Sequence, residues 1–131
     1  MARAPLICVV DDDESILESV PCLLQSFGFD VEAFPSAEAF LDSNIGAVSD
    51  CLLLDVCMPG TSGPTLQATL CAAGLDIPTV FMTARVEEAL RHRVFRQGAI
   101  DLLPKPFSEG ALLSAIHRAI RSRERREATR V

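Results

Sequence analysis

Short apolar runs alternate with longer helical patterns along the chain, and this alternation is the feature that most constrains the fold. Four runs of four to six residues are almost wholly apolar, which is typical of strands covered by helices on both faces. These runs are Leu6–Val10, Cys51–Leu54, Ile77–Met82 and Ala99–Leu103. A fifth run, Asp30–Phe34, alternates polar and apolar residues and predicts an edge strand.

Helical patterns separate these runs. We predict five helices, at Glu14–Phe27, Ser36–Asp42, Ser62–Ala73, Val86–Gln97 and Ser108–Arg121. Five strand–helix units in succession predict an α/β fold of three layers, with helices on both faces of a parallel sheet. Pro21 falls inside the first helical pattern, where it removes a backbone hydrogen bond, so we expect a kink or a later helix start there.

Composition indicates a globular domain without a membrane span. The chain has 131 residues, of which 49% are hydrophobic and 23% charged, a balance that excludes a disordered chain. No apolar run approaches the roughly 20 residues of a membrane helix, and the N-terminus has no signal-peptide pattern. The five cysteines form no C-x-x-C pair, so we expect free thiols, mostly buried, in a cytoplasmic protein.

Charge is distributed unevenly. Residues 1–84 hold 12 acids and one base, whereas residues 85–131 hold 11 bases and 6 acids. The acidic half argues against nucleic-acid binding by the domain. We assign the domain to residues 1–121 and a C-terminal arginine-rich tail or linker start to 122–131. A solvated helix end, a linker toward a further domain and a phosphate contact all fit the arginines from Arg118 onward.

Chemically active residues follow the predicted strands. Asp11, Asp12 and Asp13 follow the first strand, Asp55 the third, Thr83 the fourth, and Lys105 comes after the fifth. Ligands of open parallel sheets bind at the carboxyl ends of the strands. Carboxylates crowded there repel one another unless a cation lies among them, and carboxylate oxygens suit Mg²⁺. A lysine and a hydroxyl opposite them predict a pocket for a phosphoryl group.

These residues stand in four motifs that occur in order. The motifs are Val10-Asp11-Asp12-Asp13, Leu54-Asp55-Val56-Cys57-Met58-Pro59-Gly60 with Ser62-Gly63, Phe81-Met82-Thr83-Ala84, and Pro104-Lys105-Pro106-Phe107. From about Leu6 to Arg121 the chain resembles a receiver domain of the response-regulator family, the phosphoacceptor part of bacterial two-component signalling. The resemblance implies a flavodoxin-like sheet of strand order 2-1-3-4-5 with five helices. It also implies that the domain is not an enzyme beyond catalysing its own phosphorylation and dephosphorylation.

The resemblance assigns a role to each acid. Asp55 would accept a phosphoryl group from a sensor histidine kinase or a phosphotransfer protein. Asp12 and Asp55, with the backbone carbonyl of Cys57, would bind Mg²⁺ directly, and Asp11 would hold a metal-bound water.

The resemblance also assigns the groups that bind the phosphoryl oxygens. Lys105 would pair with one oxygen and Thr83 would hydrogen-bond another after phosphorylation. The Lys105–Pro106 bond is expected to be cis. Cys57 and Arg85, two residues past Asp55 and Thr83 respectively, flank the path of attacking water and are predicted to tune the lifetime of the phosphorylated state.

One position departs from the family. Three residues before the lysine, receivers usually place an aromatic residue that moves inward with the threonine; here it is Leu102. Leucine has no ring to stack, so we expect an altered coupling to the output surface. This surface, on the fourth helix, fifth strand and fifth helix, is either a solvated charged face or a site of phosphorylation-dependent dimerisation and partner docking. Its charged residues are Arg91, Arg93, Arg96, Asp101 and Arg118.

Other classes fit less well. Aspartyl-phosphate hydrolases of the haloacid-dehalogenase type need an acid where Cys57 stands, and cysteine phosphatases need an arginine where Gly63 stands. Flavodoxins bind phosphate at the loop where this chain has three aspartates. Two outputs stay open: a single-domain regulator, or one part of a longer transcription factor like the receivers that precede a helix-turn-helix.

Overall fold

The fold is a five-stranded parallel sheet with helices on both faces. The computed structural model describes residues 3–129, with side chains for residues 3–127. The strands are β1 (Leu6–Val10), β2 (Asp30–Phe34), β3 (Cys51–Asp55), β4 (Thr79–Thr83) and β5 (Asp101–Pro104). The helices are α1 (Glu14–Ser26), α2 (Ala37–Ser43), α3 (Gly63–Ala72), α4 (Glu88–Arg96) and α5 (Glu109–Thr129), with a short 3-10 helix at Ile45–Val48. The strand order is β2-β1-β3-β4-β5, which confirms the predicted fold.

Strand residues alternate between two cores. In β1, Ile7 and Val9 point to one face of the sheet, where they pack with α1 and α5, and Cys8 and Val10 point to the other, with α2, α3 and α4. Every residue of β3 and β4 is buried, because helices cover both faces there. The polar–apolar alternation of Asp30–Phe34 correctly predicted that β2 lies at an edge.

Three predicted element ends are corrected by the structure. β4 begins at Thr79 rather than Ile77, since Pro78 has no N–H to donate to a sheet; its carbonyl instead accepts a hydrogen bond from Leu52. α4 begins at Glu88 rather than Val86, because Glu87 has an extended backbone. β5 begins at Asp101 rather than Ala99. α1 begins at Glu14, as its pattern predicted, and contains Pro21, so the alternative of a later start is wrong.

The last helix is longer than predicted. α5 does not end at Arg121 but continues to Thr129, so most of the predicted tail is helical; residues 130 and 131 lie outside the described residues. Ion pairs hold the extension against the amino ends of the strands: Arg123 lies 3.6 Å from Asp50, and Arg126 lies 2.8 Å from Asp76. No helix among the described residues is long and apolar enough to cross a membrane.

The cysteines are free, as predicted, but mostly not buried. Cys8 and Cys51 are in the sheet core, whereas Cys22, Cys57 and Cys71 are exposed. Burial raises the pKa of the Cys8 and Cys51 thiols, so these two are neutral packing residues. The three exposed cysteines lie on α1, after β3 and on α3, where no core requires them.

The first residue of α3 lies in close contact with the backbone at the end of β3. Gly63, the first residue of α3, is so near β3 that a Cβ placed there would overlap the backbone carbonyl oxygen of Asp55. The Gly63 amide also donates to the Val56 carbonyl at 3.0 Å. Gly63 therefore lets the helix pack directly against the backbone of a predicted site residue.

We expect Gly63→Ala to lower the free energy of unfolding by about 2–4 kcal/mol, because the new methyl group must displace α3 or the Asp55 backbone. Urea unfolding followed by circular dichroism measures this change. The matched control is Gly110→Ala in α5, where a Cβ meets nothing within 4 Å and alanine gains helix propensity. Equal stabilities of the two variants would contradict the close approach.

Candidate functional site

The site lies at the carboxyl edge of the sheet, where four strands end in functional groups. Asp11 directly follows β1, Asp55 ends β3 and Thr83 ends β4. Lys105 directly follows β5, and its amide donates to the Thr83 carbonyl at 2.7 Å. The parallel register therefore brings together residues that are up to 94 positions apart in the chain.

Three carboxylates converge at this edge. Asp11, Asp12 and Asp55 each offer one oxygen, and these three oxygens lie within 4.8 Å of one another. Asp11 is fully buried and Asp55 is 6% exposed, while Asp12 faces solvent. The predicted cluster of acids is thus present, with its two strand-end members largely withdrawn from water.

Lys105 places a positive charge among these acids. Its Nζ atom donates a hydrogen bond to Asp11 Oδ2 at 2.7 Å and lies 3.4 Å from Asp55 Oδ1. The adjoining Lys105–Pro106 peptide bond is cis, as the resemblance implies. Lys105 therefore bridges the buried acid of β1 and the acid of β3.

Burial and neighbouring charge oppose ionisation of Asp55. Desolvation, with the negative charge of Asp11 second, raises the pKa of Asp55 to about 6, although Lys105 acts in the opposite direction. For Lys105, burial lowers the pKa, but the hydrogen bond to Asp11 and the charge of Asp55 outweigh it and raise the pKa overall. Near neutral pH the cleft therefore holds a charged lysine and an Asp55 carboxylate that is ionised at a cost.

The Thr83 side chain is engaged with the loop that follows β4. Its hydroxyl donates to the Arg85 carbonyl at 2.9 Å and accepts from the Arg85 amide at 3.2 Å. Thr83 is only 4% exposed, whereas the Arg85 side chain is exposed at the rim of the site. The structure thus brings Thr83 to the predicted edge, with its hydroxyl turned toward its own loop.

The remaining predicted residues lie in or near the same cleft. Asp12, Cys57 and Arg85 line a cleft of about 490 Å³ together with Asp55 and Lys105. The Cys57 side chain is exposed, and the role of its carbonyl stays a prediction. Leu102 is buried in the core on the α2–α3–α4 side of the sheet.

The geometry suits a hard cation such as Mg²⁺. Two oxygens bound to one Mg²⁺ ion lie about 3 Å apart when adjacent and about 4.2 Å apart when opposite, so carboxylate oxygens within 4.8 Å of one another can share an ion after a modest movement of the side chains. The donor set contains oxygen atoms only, which suits Mg²⁺ and disfavours softer metals. Asp13 stands apart from this set, because its carboxylate caps α1 by accepting from the Ser15 amide at 2.9 Å.

Sequence analysis missed one group beside the site. Glu38 reads as an ordinary acid in the first turn of α2, but its carboxylate accepts hydrogen bonds from Thr61, in the loop between β3 and α3. The two residues are 23 positions apart and no local pattern links them. Only the folded structure, which places α2 against the loop between β3 and α3, reveals the contact.

The raised pKa of Asp55 predicts how stability depends on pH. Between about pH 4 and pH 6 the folded protein binds more protons at Asp55 than the unfolded chain, so the free energy of unfolding falls as the pH rises through this window. We expect Asp55→Asn to stabilise the metal-free protein by about 1–2 kcal/mol at pH 7.5, since solvent at the open side of the cleft screens part of the repulsion.

The gain in free energy of unfolding from Asp55→Asn should shrink toward zero near pH 4.5, where wild-type Asp55 is already protonated. Thermal melts in a chelating buffer at several pH values measure it, with Asp42→Asn as the exposed control for a lost charge. A stability gain that is the same at pH 7.5 and pH 4.5 would contradict the raised pKa of Asp55.

Comparisons with known proteins agree with this geometry. Residues 7–117 match the family of response regulator receiver domains. Nodulation protein W of Bradyrhizobium diazoefficiens is 40% identical over 126 residues, which cover 95% of this chain and 56% of that protein. Among solved structures, the response regulator StyR has a TM-score of 0.88 and 45% identity, over 95% of this chain and 64% of that one. FixJ-N has a TM-score of 0.81 and 30% identity, over 92% of this chain and 96% of that one.

The share of each protein that is matched determines what the comparisons establish. The chain spans slightly more than half the length of the curated relative it matches, but nearly the whole of FixJ-N. The family match covers β1 to the middle of α5 and includes every strand end described above. This chain belongs to the receiver domains of two-component response regulators.

Proposed function

We propose that Asp55 is the phosphoacceptor of a two-component signalling pathway. The donor is a phosphohistidine on a sensor histidine kinase or on a phosphotransfer protein. An Asp55 carboxylate oxygen forms a bond to phosphorus as the phosphorus–nitrogen bond of the donor breaks, and the electron pair of that bond stays on the histidine nitrogen. A proton taken up from water, at that nitrogen or at the other ring nitrogen, leaves the donor as the neutral imidazole. The observation that carries the proposal is the convergence of three carboxylates and Lys105 at one sheet edge.

The chain's own residues position and neutralise the reacting groups. Asp55 ends a fully buried strand, which restricts the direction of its carboxylate. Lys105, 3.4 Å from that carboxylate, supports charge on the oxygens of the incoming phosphoryl group. Asp12 and Asp55, with the Cys57 carbonyl, would hold Mg²⁺, and Asp11 would orient a water on it. When bound, Mg²⁺ supplies positive charge that offsets the anionic phosphoryl oxygens.

The charge balance of the cleft supports a divalent cation at this edge. Burial, and after it the negative charges of Asp11 and Asp12, make ionised Asp55 unfavourable and raise its pKa to about 6. Lys105 offsets only part of this cost, because its single positive charge is shared between Asp11 and Asp55. A divalent cation would balance the negative charge of such a cleft.

The product would act by altering the surfaces of the domain, and we propose no turnover of another substrate. The proposed output surface spans α4, β5 and α5, where Arg91, Arg93 and Arg96 are exposed on α4. Arg118 of α5 lies 2.6 Å from Asp101 of β5, so an ion pair ties two of these elements together. Phosphorylation-dependent dimerisation on this surface stays a prediction.

We expect incubation with Mg²⁺ and acetyl phosphate to add one phosphoryl group to the protein. The site itself positions the reacting groups and stabilises their charge, so a small donor can replace the kinase. Intact-mass measurement detects the addition, and hydroxylamine should remove it, as it does for acyl phosphates but not for phosphoserine. Asp55→Asn should abolish the addition, whereas Asp42→Asn, on the exposed face of α2, should not. Labelling of the Asp55→Asn variant to the wild-type extent would refute the proposal.

We expect Arg85→Ala to shorten the lifetime of the phosphorylated form by about two- to tenfold, a modest change in the barrier. The Arg85 side chain lies at the rim of the cleft, and its removal opens a path for attacking water. The loss of phosphoryl groups is followed by intact mass after the donor is removed. Arg93→Ala on α4 is the control, since Arg93 is exposed but does not line this cleft. Equal lifetimes of Arg85→Ala and wild type would reject this role.

A further inference from the structure

The loop between β3 and α3 is anchored to α2 by one side chain. Glu38 Oε2 accepts a hydrogen bond from the Thr61 hydroxyl at 2.7 Å and a longer one from the Thr61 amide at 3.2 Å. These bonds lower the pKa of Glu38, so its carboxylate is charged at neutral pH. Hydrogen bonds to an ionised acceptor are stronger than those between neutral groups.

The helix that carries Glu38 is itself well fixed. Ser36 caps α2 by accepting from the Ala39 amide at 3.0 Å. On either side of Glu38, Ala37 and Phe40 are buried, and the Phe40 ring packs edge-on against Phe34 at 5.5 Å. The carboxylate therefore extends from a rigid turn of helix toward the loop.

The loop backbone is shaped to receive this carboxylate. Gly60 has a left-handed backbone (φ +79°), and a Cβ placed there would come within 3.1 Å of Glu38 Oε2. A side chain at this position would thus be strained and would crowd the acceptor. Both the conformation and the small size of Gly60 favour the approach of Thr61 to Glu38.

The anchored loop connects the phosphoacceptor to α3. It begins after Asp55 and includes Cys57, whose carbonyl is the proposed metal ligand. Its two ends are fixed: the Val56 amide donates to the Met82 carbonyl at 2.9 Å, and the Gly63 amide returns to Val56. Glu38 holds the stretch between these ends from outside.

We propose that Glu38 is a positioning residue that sets the Mg²⁺ affinity of the site by holding the β3–α3 loop through Thr61. The inference rests on the proposed function, because it assumes that the loop contributes a metal ligand. Glu38 acts at a distance from the ion, so its loss changes the placement of the ligand rather than the number of carboxylates in the cleft.

Titration calorimetry with MgCl₂ at neutral pH tests the proposal directly, and the chain has no Trp or Tyr that would offer a simple fluorescence readout. We expect Glu38→Ala and Thr61→Val each to weaken Mg²⁺ binding by about three- to tenfold, less than the loss typical of groups bonded to a ligand. The double variant should be no weaker than the worse single variant, because both remove the same contact. Thr61→Ser, which keeps the hydroxyl, should bind within about twofold of wild type.

The matched control is Asp42→Ala, which removes the same charge from the same helix at an exposed position. It should leave the Mg²⁺ affinity within about twofold of wild type. With acetyl phosphate, Glu38→Ala should need more Mg²⁺ for half-maximal phosphorylation but reach the wild-type rate at saturation, a split that general destabilisation does not produce. Thr61→Val keeps the test informative if Glu38→Ala fails to fold.

The outcomes separate this inference from the proposed function. Wild-type affinity in both Glu38→Ala and Thr61→Val, or equal weakening by Asp42→Ala, would overturn the positioning role and leave the proposed function intact. A wild-type protein that binds no Mg²⁺ and accepts no phosphoryl group would overturn the proposed function and, with it, this inference.

Discussion

The bridge from Lys105 to Asp11 and Asp55 is the interaction on which the architecture of the site depends. Acids that end neighbouring strands would repel one another, and the lysine after β5 is the positive charge that the described part of the chain places between them. Its hydrogen bond to fully buried Asp11 gives that carboxylate a partner, which a buried charge requires. The cation also draws the end of β5 toward the end of β1, across the two strands between them.

The compensation is incomplete, and this leaves the site with more negative than positive charge. Asp55 is largely buried, and one lysine faces three carboxylates, so burial first and charge repulsion second keep the pKa of Asp55 above that of an exposed aspartate. Stability is given up at this edge of the sheet, while two continuous cores supply it elsewhere. Unfavourable charge interactions at one edge of a well-packed framework are a general property of binding sites built at strand ends.

Much of this arrangement could be predicted from sequence because its physical causes are local or periodic. Short apolar runs identified the strands, and the polarity of Asp30–Phe34 identified an edge. The positions of Asp11, Asp55 and Lys105 at strand ends followed once the sheet was taken as parallel. The carboxyl edge therefore needed no long-range information beyond the order of the strands.

What escaped prediction comprises one local backbone conformation and several contacts between distant residues. The start of α4 was placed too early because its helical periodicity includes Val86, whereas the extended backbone of Glu87 delays the helix. The end of α5 was placed too early because ion pairs to Asp50 and Asp76, and not apolar periodicity, accompany its last turns. The Glu38–Thr61 contact has the same character, since neither residue's neighbours in sequence signal it.

The hydroxyl of Thr83 has a single proton, and in this structure the carbonyl of Arg85 accepts it. Under the proposed function a phosphoryl oxygen competes with the Arg85 carbonyl for that proton, because one hydroxyl proton cannot make a full hydrogen bond to both acceptors. By linkage, a molecule that binds the loop more tightly in its present shape disfavours phosphorylation. The factor is the same as the one by which phosphorylation would weaken the binding of that molecule. Under the proposed function, the loop after β4 would therefore let a partner of this domain sense or oppose the phosphorylation of Asp55 without contacting an acidic side chain.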